Sequence, residues 1–483
     1  MINIHWRPDK SAITPVYMQI KEFIKQKIET GEWTVGTKIP SQRTLAQLFE
    51  VNRSTVVTAF EELIAEGLLE SKSGMGTEVK NNTWSLFSLS SPPDWNSYVK
   101  KGTHQPNLPT IQDIHKVEPI PHIIRLGTGE PSPELFPQEQ LAQILHRLPS
   151  RIQSLGYEEE KGLYVLREQI SIYLQSLGIT SSPASILIVS GALQALQLIS
   201  VGLLRRGSTI FLEKPSYLSS LNVFQSAGIS LYGIPMDAGG LQTAYIQQQK
   251  KRQNASLLYT IPTFHNPTGS VMPLERRKKL LQVCEDVQLP IIEDDVYREL
   301  WIDSPPPPPL KAMDKNGTVL YLGSISKALS PGLRIGWIAG PEPVINRLAD
   351  IKMQTDYGSS SLSQWAVAEW MASGLYFDHL EQMRQSLRVR RDTAIRLLES
   401  EFTGIAEWTK PSGGFYIWLR LPPVISLREL FDRALAEGIL LNPGNLYDPS
   451  VASHLRLSYA YASLADLEKG MKKLSKIIQE MHK

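Results

Sequence analysis

Several short stretches of this chain end in side chains that together can handle a carbonyl compound and an anion. In Ser324-Ile325-Ser326-Lys327 a lysine follows two hydroxyls, which makes it a potential amine nucleophile toward an aldehyde. Asp294, near the close of LPIIEDD, can pair with the nitrogen of an aromatic heterocycle, keep it protonated and make the ring an electron sink. Asn266 and Tyr297 can hydrogen-bond a phenolic oxygen, and Tyr217 is a further polar residue behind an apolar run. The turn Ser190-Gly191-Ala192 opens a helix and offers backbone NH groups to a phosphate, where Ser324, Ser326 and Arg334 complete a charge-assisted cradle. Each alone is ordinary: a lone lysine is usually a solvated surface residue, and Gly-Ala before a helix is a common turn. Their joint order carries the reading.

The elements that must position these residues are legible around them. ILIVS precedes GALQALQLISVGL, TIFLEK precedes PSYLSSLNVFQSAG, and SLLYTIP, LPIIEDD and TVLYLGSISK follow. Uniformly apolar strands alternating with helices predict a mostly parallel sheet covered on both faces. Ligands of such sheets bind beyond the carboxyl ends of the strands, which is where the polar residues fall.

The first 80 residues differ in pattern. Tyr17, Ile20, Ile24 and Ile28 recur at helical spacing up to Gly31; a second helix is predicted from Ser41, with Leu45 and Leu48 inward. A third is predicted from Asn52 to about Glu66 through Val56, Phe60, Leu63 and Ile64. Leu68–Val79, with Gly74-Met75-Gly76 at its centre, suits a β-hairpin. Helix, helix-turn-helix and wing form a DNA-binding layout, although three helices and a hairpin also make a bland small domain. Ten Lys/Arg and ten Asp/Glu cancel over residues 1–80, so any electrostatic footprint must be local. Arg43, Arg53, Ser54, Thr55 and Thr58 stand at helix N-termini, where side chains reach phosphates and groove edges, whereas Glu61, Glu62 and Glu66 lie further along.

Length and composition set outer limits. The 483 residues are 42% hydrophobic and 20% charged, with a net charge of +2, which suits a multidomain folded protein and gives no global basic signal. The single cysteine, Cys284, excludes a disulfide scaffold and a cysteine-built metal site, and no metal is expected. No spanning segment or export signal is apparent, so a soluble cytoplasmic protein without membrane contact is expected. The expected domains are a reader at 1–80, a linker at 81–121 and a cofactor domain at 122–483. The linker's prolines predict a semi-extended course; its aromatics Trp84, Phe87, Trp95 and Tyr98 leave open an irregular arm packed on the second domain.

Two resemblances follow from longer motifs. PVYMQI, GTKIPSQRTLA, VNRSTV and GLLESKSGMGT resemble the N-terminal domain of the GntR family, with Gln42 where that family usually has Glu. The resemblance implies that Arg43 and Arg53 contact DNA, that Ser54 and Thr55 start the recognition helix, and that Lys72, Gly74 and Gly76 form the wing. LGTGEPSPELFP, LGYEEEKGLYVLREQI, VSGALQALQL, EKPSY, PTFHNPTG, IIEDDVYREL, SISKALSPGLRIGW, GGFYIWL and HLRLSYA resemble fold-type I aminotransferases. That implies an α/β domain with a large, mostly parallel-sheet lobe and a smaller α+β lobe, binding pyridoxal 5′-phosphate. By the resemblance Lys327 is the Schiff-base lysine, Asp294 the pyridinium partner, Asn266 and Tyr297 bind the phenolate, and Tyr217 stacks on the ring. Gly191, with the backbone of Ala192 and Leu193, would hold the phosphate together with Ser324, Ser326 and Arg334. Tyr157 would reach a neighbouring subunit's cofactor, and Arg456 would grip an α-carboxylate.

The two parts in one chain resemble the MocR subfamily of GntR-type bacterial transcriptional regulators. The resemblance implies a head-to-tail homodimer that binds double-stranded promoter DNA and senses an amino acid or amine by external aldimine formation. The rival is a working aminotransferase with an autoregulatory DNA-binding domain, and a third possibility is that the cofactor itself is the effector.

Overall fold

In a computed structural model the described residues are 4, 6–72, 76–82, 93–102, 104, 106–152 and 154–482. The chain divides into two units, Met1–His104 and Gln105–Lys483.

In the first unit, α1 (Val16–Glu29) ends at Gly31, whose φ of +75° is the left-handed turn that glycine makes at least cost. A short strand β1 (Lys38–Ile39) leads to α2 (Gln42–Leu48), which Ser41 caps by accepting from the Thr44 amide at 3.2 Å. α3 spans Arg53–Ala65; β2 (Leu69–Lys72) and β3 (Gly76–Val79) form the wing. β1 pairs with β3 and makes a third strand that the two-residue stretch gave no pattern to reveal. Ile20, Ile24, Ile28, Leu45, Phe49, Val56, Ala59, Phe60, Leu63 and Val79 share one core. Leu48, expected inward, and Ile64 of the predicted third helix lie outside it and are exposed. The reason is helical phase: Leu45 is followed inward by Phe49, and Ile64 sits one residue past the 56-60-63 stripe.

The described part of residues 81–121 corrects the expected extended course, because it contains α4 (Trp95–Lys101) and α5 (Pro109–Val117). Asp94 caps α4 through the Ser97 amide, and Pro109 occupies the first turn of α5, where a missing NH costs nothing. Ile114 is buried in the core of the second unit, with Ile111 and Val117 packed against it at three-residue spacing. Trp95 and Tyr98 are exposed; Trp84, Phe87 and the wing's Gly74 lie outside the described residues.

The second unit continues through β4 (Ile124–Arg125), α6 (Gln138–Arg151) and α7 (Tyr164–Ser176) to its main sheet. The strands are β5 (Ile186–Val189), β6 (Thr209–Lys214), β7 (Ser230–Asp237), β8 (Gly240–Leu241), β9 (Ala255–Thr260), β10 (Ile291–Asp294), β11 (Val319–Ser324) and β12 (Gly336–Ala339). Their order is β5-β12-β11-β10-β9-β6-β7-β8; β7, β6, β9, β10 and β11 are parallel, while β12 runs against both β5 and β11. Covering helices are α8 (Ala192–Gly202), α9 (Ala244–Gln253), α10 (Leu274–Asp286), α11 (Leu310–Met313), α12 (Glu342–Thr355), α13 (Ser361–Ala372) and the long α14 (Leu375–Glu401). Ile186 and Ile188 enter one core and Leu187 and Val189 the other, so a wholly apolar strand serves two faces. PSYLSSLNVFQSAG, expected as a helix, forms only single 3-10 turns at Tyr217–Ser220 and Gln225–Ala227. Its serines, Asn222 and Val223 are weak helix formers.

The smaller lobe contains β13 (Tyr416–Arg420), α15 (Leu427–Ala436), β14 (Ile439–Leu440), β15 (Asn442–Pro443), β16 (His454–Ser458) and α16 (Leu464–His482). β13, β16 and β15 make an antiparallel sheet, and β14 pairs with β4. Among the described residues no helix is long and apolar enough to cross a membrane.

Candidate functional site

Strand register brings the phosphate-type groups together. Val189, Gly336 and Ser324 form one row across β5, β12 and β11, so the loop after β5, the approach to β12 and the end of β11 meet at one sheet edge. Gly191 has φ +89°, and a Cβ there would lie 2.8 Å from Arg334 Nη2, so glycine is required both by conformation and by the close guanidinium. Arg334 donates to the Ser190 carbonyl at 2.6 Å. Ser324 Oγ lies 3.0 Å from Ser326 Oγ and accepts from the Ser326 amide at 3.1 Å. Ala192 and Leu193 form the first turn of α8, whose amides open toward this corner.

A second cluster lies beyond β10 and β11. Asp294 pairs with Leu322 in register and is buried; Oδ2 accepts from Tyr259 Oη at 2.7 Å, whereas Oδ1 has no donor. Burial pushes its pKa up to about 6, against the lowering pull of the Tyr259 hydroxyl. Lys327 Nζ donates to the Gly129 carbonyl at 2.6 Å. Asn266 Nδ2 donates to Tyr297 Oη at 3.3 Å, and Tyr297 Oη lies 3.0 Å from Tyr416 Oη. Burial holds the Tyr297 phenol well above its ordinary pKa, so it stays protonated. The Tyr217 amide donates to the Asn266 carbonyl at 3.1 Å, and burial pushes its phenol up to about 12.

From β16, Arg456 donates to Asn266 Oδ1 at 2.9 Å and to the Gly127 carbonyl at 2.7 Å. Its guanidinium lies 4.3 Å from the Tyr416 ring and 4.9 Å from that of Tyr447. The side chain is buried, yet among the described residues no carboxylate comes within ion-pair distance. Lys327 and Arg456 thus reach carbonyls two residues apart on one loop.

Most of the expected residues are therefore gathered, and Tyr157 is not: it is 82% exposed, with its ring against Tyr357 at 4.9 Å. Sequence reasoning gave no role to Tyr259, which is hidden inside the apolar run SLLYTIP. Gly127, Gly129 and Tyr416 lay within quoted motifs but were not singled out.

In the first unit, Arg43, Arg53 and Ser54 are exposed and Thr55 half-buried at the starts of α2 and α3. Thr58 Oγ1 donates to the Ser54 carbonyl at 3.1 Å. Lys72 differs from these: it is ion-paired with Glu78 at 2.7 Å and Glu70 at 3.4 Å, which raises its pKa. Gly76 opens β3 with φ +88°.

Fold and site define a winged helix-turn-helix unit carried by a chain with a fold-type I aminotransferase domain. Residues 121–474 match the family "Aminotransferase class I and II" and residues 16–79 match "Bacterial regulatory proteins, gntR family". The chain is 55% identical to the uncharacterized HTH-type transcriptional regulator YdfD of Bacillus subtilis over 97% of both chains. It is 35% identical to the HTH-type transcriptional regulator NorG of Staphylococcus aureus, over 92% of this chain and all of that one. Among solved structures it is similar to LysN, an α-aminoadipate aminotransferase of Thermus thermophilus complexed with N-(5′-phosphopyridoxyl)-L-leucine. The TM-score is 0.74 and the identity 31%, over 81% of this chain and 99% of that one. The chain belongs to the MocR subfamily of GntR-type transcriptional regulators. It is a transcriptional regulator, and its family implies both DNA binding and pyridoxal phosphate.

Proposed function

We propose that the second unit holds pyridoxal 5′-phosphate through Lys327 and uses it to sense an amino acid or amine, which alters binding of the first unit to promoter DNA. The observation that carries the cofactor is Asp294 Oδ1, a buried carboxylate oxygen without a donor at the place a pyridinium NH would fill. The rest of the donor set fits. Gly191, Ala192, Leu193, Ser324, Ser326 and Arg334 would hold the phosphate, Asn266 and Tyr297 the phenolic oxygen, and Tyr217 the ring face. When bound, the group supplies an aldehyde for amines and an electron-withdrawing ring. Lys327 Nζ would hold it covalently and yield its place to an incoming amine, and Asp294 would keep a proton on the ring nitrogen.

Arg456 specifies the ligand class, because a buried guanidinium without an anion favours one bearing a carboxylate. A ligand that binds two arrangements of the protein with different affinity shifts their populations and so the occupancy of DNA. The reading takes the protein as a homodimer in the cytoplasm, with Tyr157 completing the partner's site. A second reading, turnover as an aminotransferase, is favoured by the same gathered set from Lys327 to Arg456.

The test is an absorbance screen of the cofactor-loaded protein against amino acids and amines, run beside promoter footprinting. One ligand should shift the cofactor band and the footprint together, and Lys327→Ala should abolish both. A footprint response that survives Lys327→Ala overturns the covalent mechanism. Fast transamination with a footprint indifferent to substrates favours the enzyme.

A further inference from the structure

The first unit poses a problem in electrostatics: its charges cancel over residues 1–80, yet its expected partner is a polyanion. The structure sorts the cations. Arg7, Lys21, Lys25, Lys27, Lys72 and Lys80 are each ion-paired with a glutamate of the same unit. Among the described residues Lys10, Lys38, Arg43 and Arg53 are not. Three of these four, Lys10, Arg43 and Arg53, line one open cleft with Gln47, Asn52 and Thr55, between the starts of α2 and α3. Net neutrality conceals a face on which the positive charge is uncommitted.

Lys10 comes from the stretch ahead of α1, and that stretch is a built arm. Trp6 stacks on Phe23 with ring centroids 4.4 Å apart. Gln19 of α1 clasps the arm three times: its Oε1 accepts from the Asp9 amide at 2.9 Å, and its Nε2 donates to the carbonyls of Asp9 at 2.9 Å and Thr14 at 2.8 Å. The two acids nearest Lys10 and the cleft are both engaged. Asp9 accepts from the Ser11 amide and hydroxyl at 2.8 and 2.6 Å, and Glu50, which lines the cleft in the turn before α3, accepts from Arg7 at 2.6 Å.

We propose that the arm, residues 6–15, is part of the DNA-binding surface. Lys10 supplies a phosphate contact beside Arg43 and Arg53, and Arg7 offsets the charge of Glu50, the carboxylate that lines the cleft. This rests on the reading that the first unit binds DNA. The Arg7–Glu50 pair is exposed and adds little stability, so its effect is on the field of the cleft.

The experiment is fluorescence anisotropy of the full-length protein on a labelled mixed-sequence duplex of about 40 base pairs, titrated across a salt series. Lys10→Ala should weaken binding several-fold and flatten the log–log salt slope by about 0.9 per subunit, with Lys10→Arg restoring both. Gln19→Ala, which removes no charge, should weaken binding in the same direction by releasing the arm. Arg7→Ala should weaken binding, and adding Glu50→Gln should restore it; failure to restore overturns the neutralising role. An unchanged slope in Lys10→Ala, while Arg53→Ala lowers it, overturns the arm and leaves the DNA-binding reading standing. Wild-type protein that binds neither this duplex nor its own promoter overturns that reading instead.

Discussion

The two functional regions hold their charges in opposite ways. In the reader, Arg43 and Arg53 stand in water with no ion-pair partner among the described residues and take no part in the core beneath them. In the cofactor domain, Asp294, Asn266, Tyr297 and Arg456 are buried, and each is tied to another member of the site. An exposed cation costs the fold almost nothing and gains its energy only when phosphate arrives. A buried one is desolvated in advance, so stability and ligand binding are coupled at the same atoms. Substitutions in the reader should therefore separate binding from stability, and those in the cofactor site should not.

The largest expected effect is at Arg456. Arg456→Met should weaken carboxylate-bearing ligands at least about 100-fold, because losing a buried charge partner costs about 3–5 kcal/mol. Amines without a carboxylate should keep most of their affinity. Titration of the cofactor band with an amino acid and its decarboxylated amine checks this, and equal losses for both would remove Arg456 from ligand recognition.

Next is Asp294. A carboxyl whose pKa rises from 3.8 unfolded to about 6 folded adds stability that is complete below the lower value and is lost as pH rises through the upper. The cofactor-free domain should thus pay its full penalty near neutral pH, at most about 3 kcal/mol for a two-unit shift. Asp294→Asn should raise the melting temperature of the cofactor-free protein above about pH 6 and leave it unchanged below about pH 4, while weakening the cofactor. A melting curve with no such pH window would show that burial does not burden this carboxylate.

The same contrast explains what the sequence made legible. Chemistry at strand ends was readable because apolar runs mark the strands, and Asp294, Ser324 and Lys327 stand where those runs stop. Tyr259 was not readable: it points from within a run, and only the sheet order that sets β9 beside β10 brings its hydroxyl to Asp294. Likewise the antiparallel β12, short and unsignalled, separates β5 from β11 and carries Arg334 to Gly191. In the reader the helices followed from periodicity, but the pairing that leaves Lys10, Arg43 and Arg53 free depends on which glutamates fold against the other cations.

A smaller effect on the reader's side tests the comparison directly. Arg53→Ala should weaken DNA by about 1–3 kcal/mol and reduce the salt slope. Its melting temperature should correspond to a change within about 0.5 kcal/mol, as expected of a surface position. A substantial loss of stability would mean that α3 relies on this arginine for its fold.

The smallest effect is at Tyr259, and it is the sharpest. Tyr259→Phe removes the side-chain donor to Asp294 Oδ2 without opening a cavity larger than one oxygen, so it acts on the charge rather than on packing. Since that hydroxyl lowers the Asp294 pKa, its loss should move the folded value above about 6 and extend upward the pH range over which the cofactor-free domain loses stability. The cost near neutral pH should be about 1.5 kcal/mol, the low end of the worth of a hydrogen bond to a charged group. In an Asp294→Asn background the ionised acceptor is gone, so the same substitution should cost distinctly less, and the difference across the double-mutant cycle measures the coupling. A cost that is identical in both backgrounds and flat with pH would assign Tyr259 to packing alone. A cost confined to the background with an ionisable Asp294 would place it among the residues that set the cofactor's ring partner.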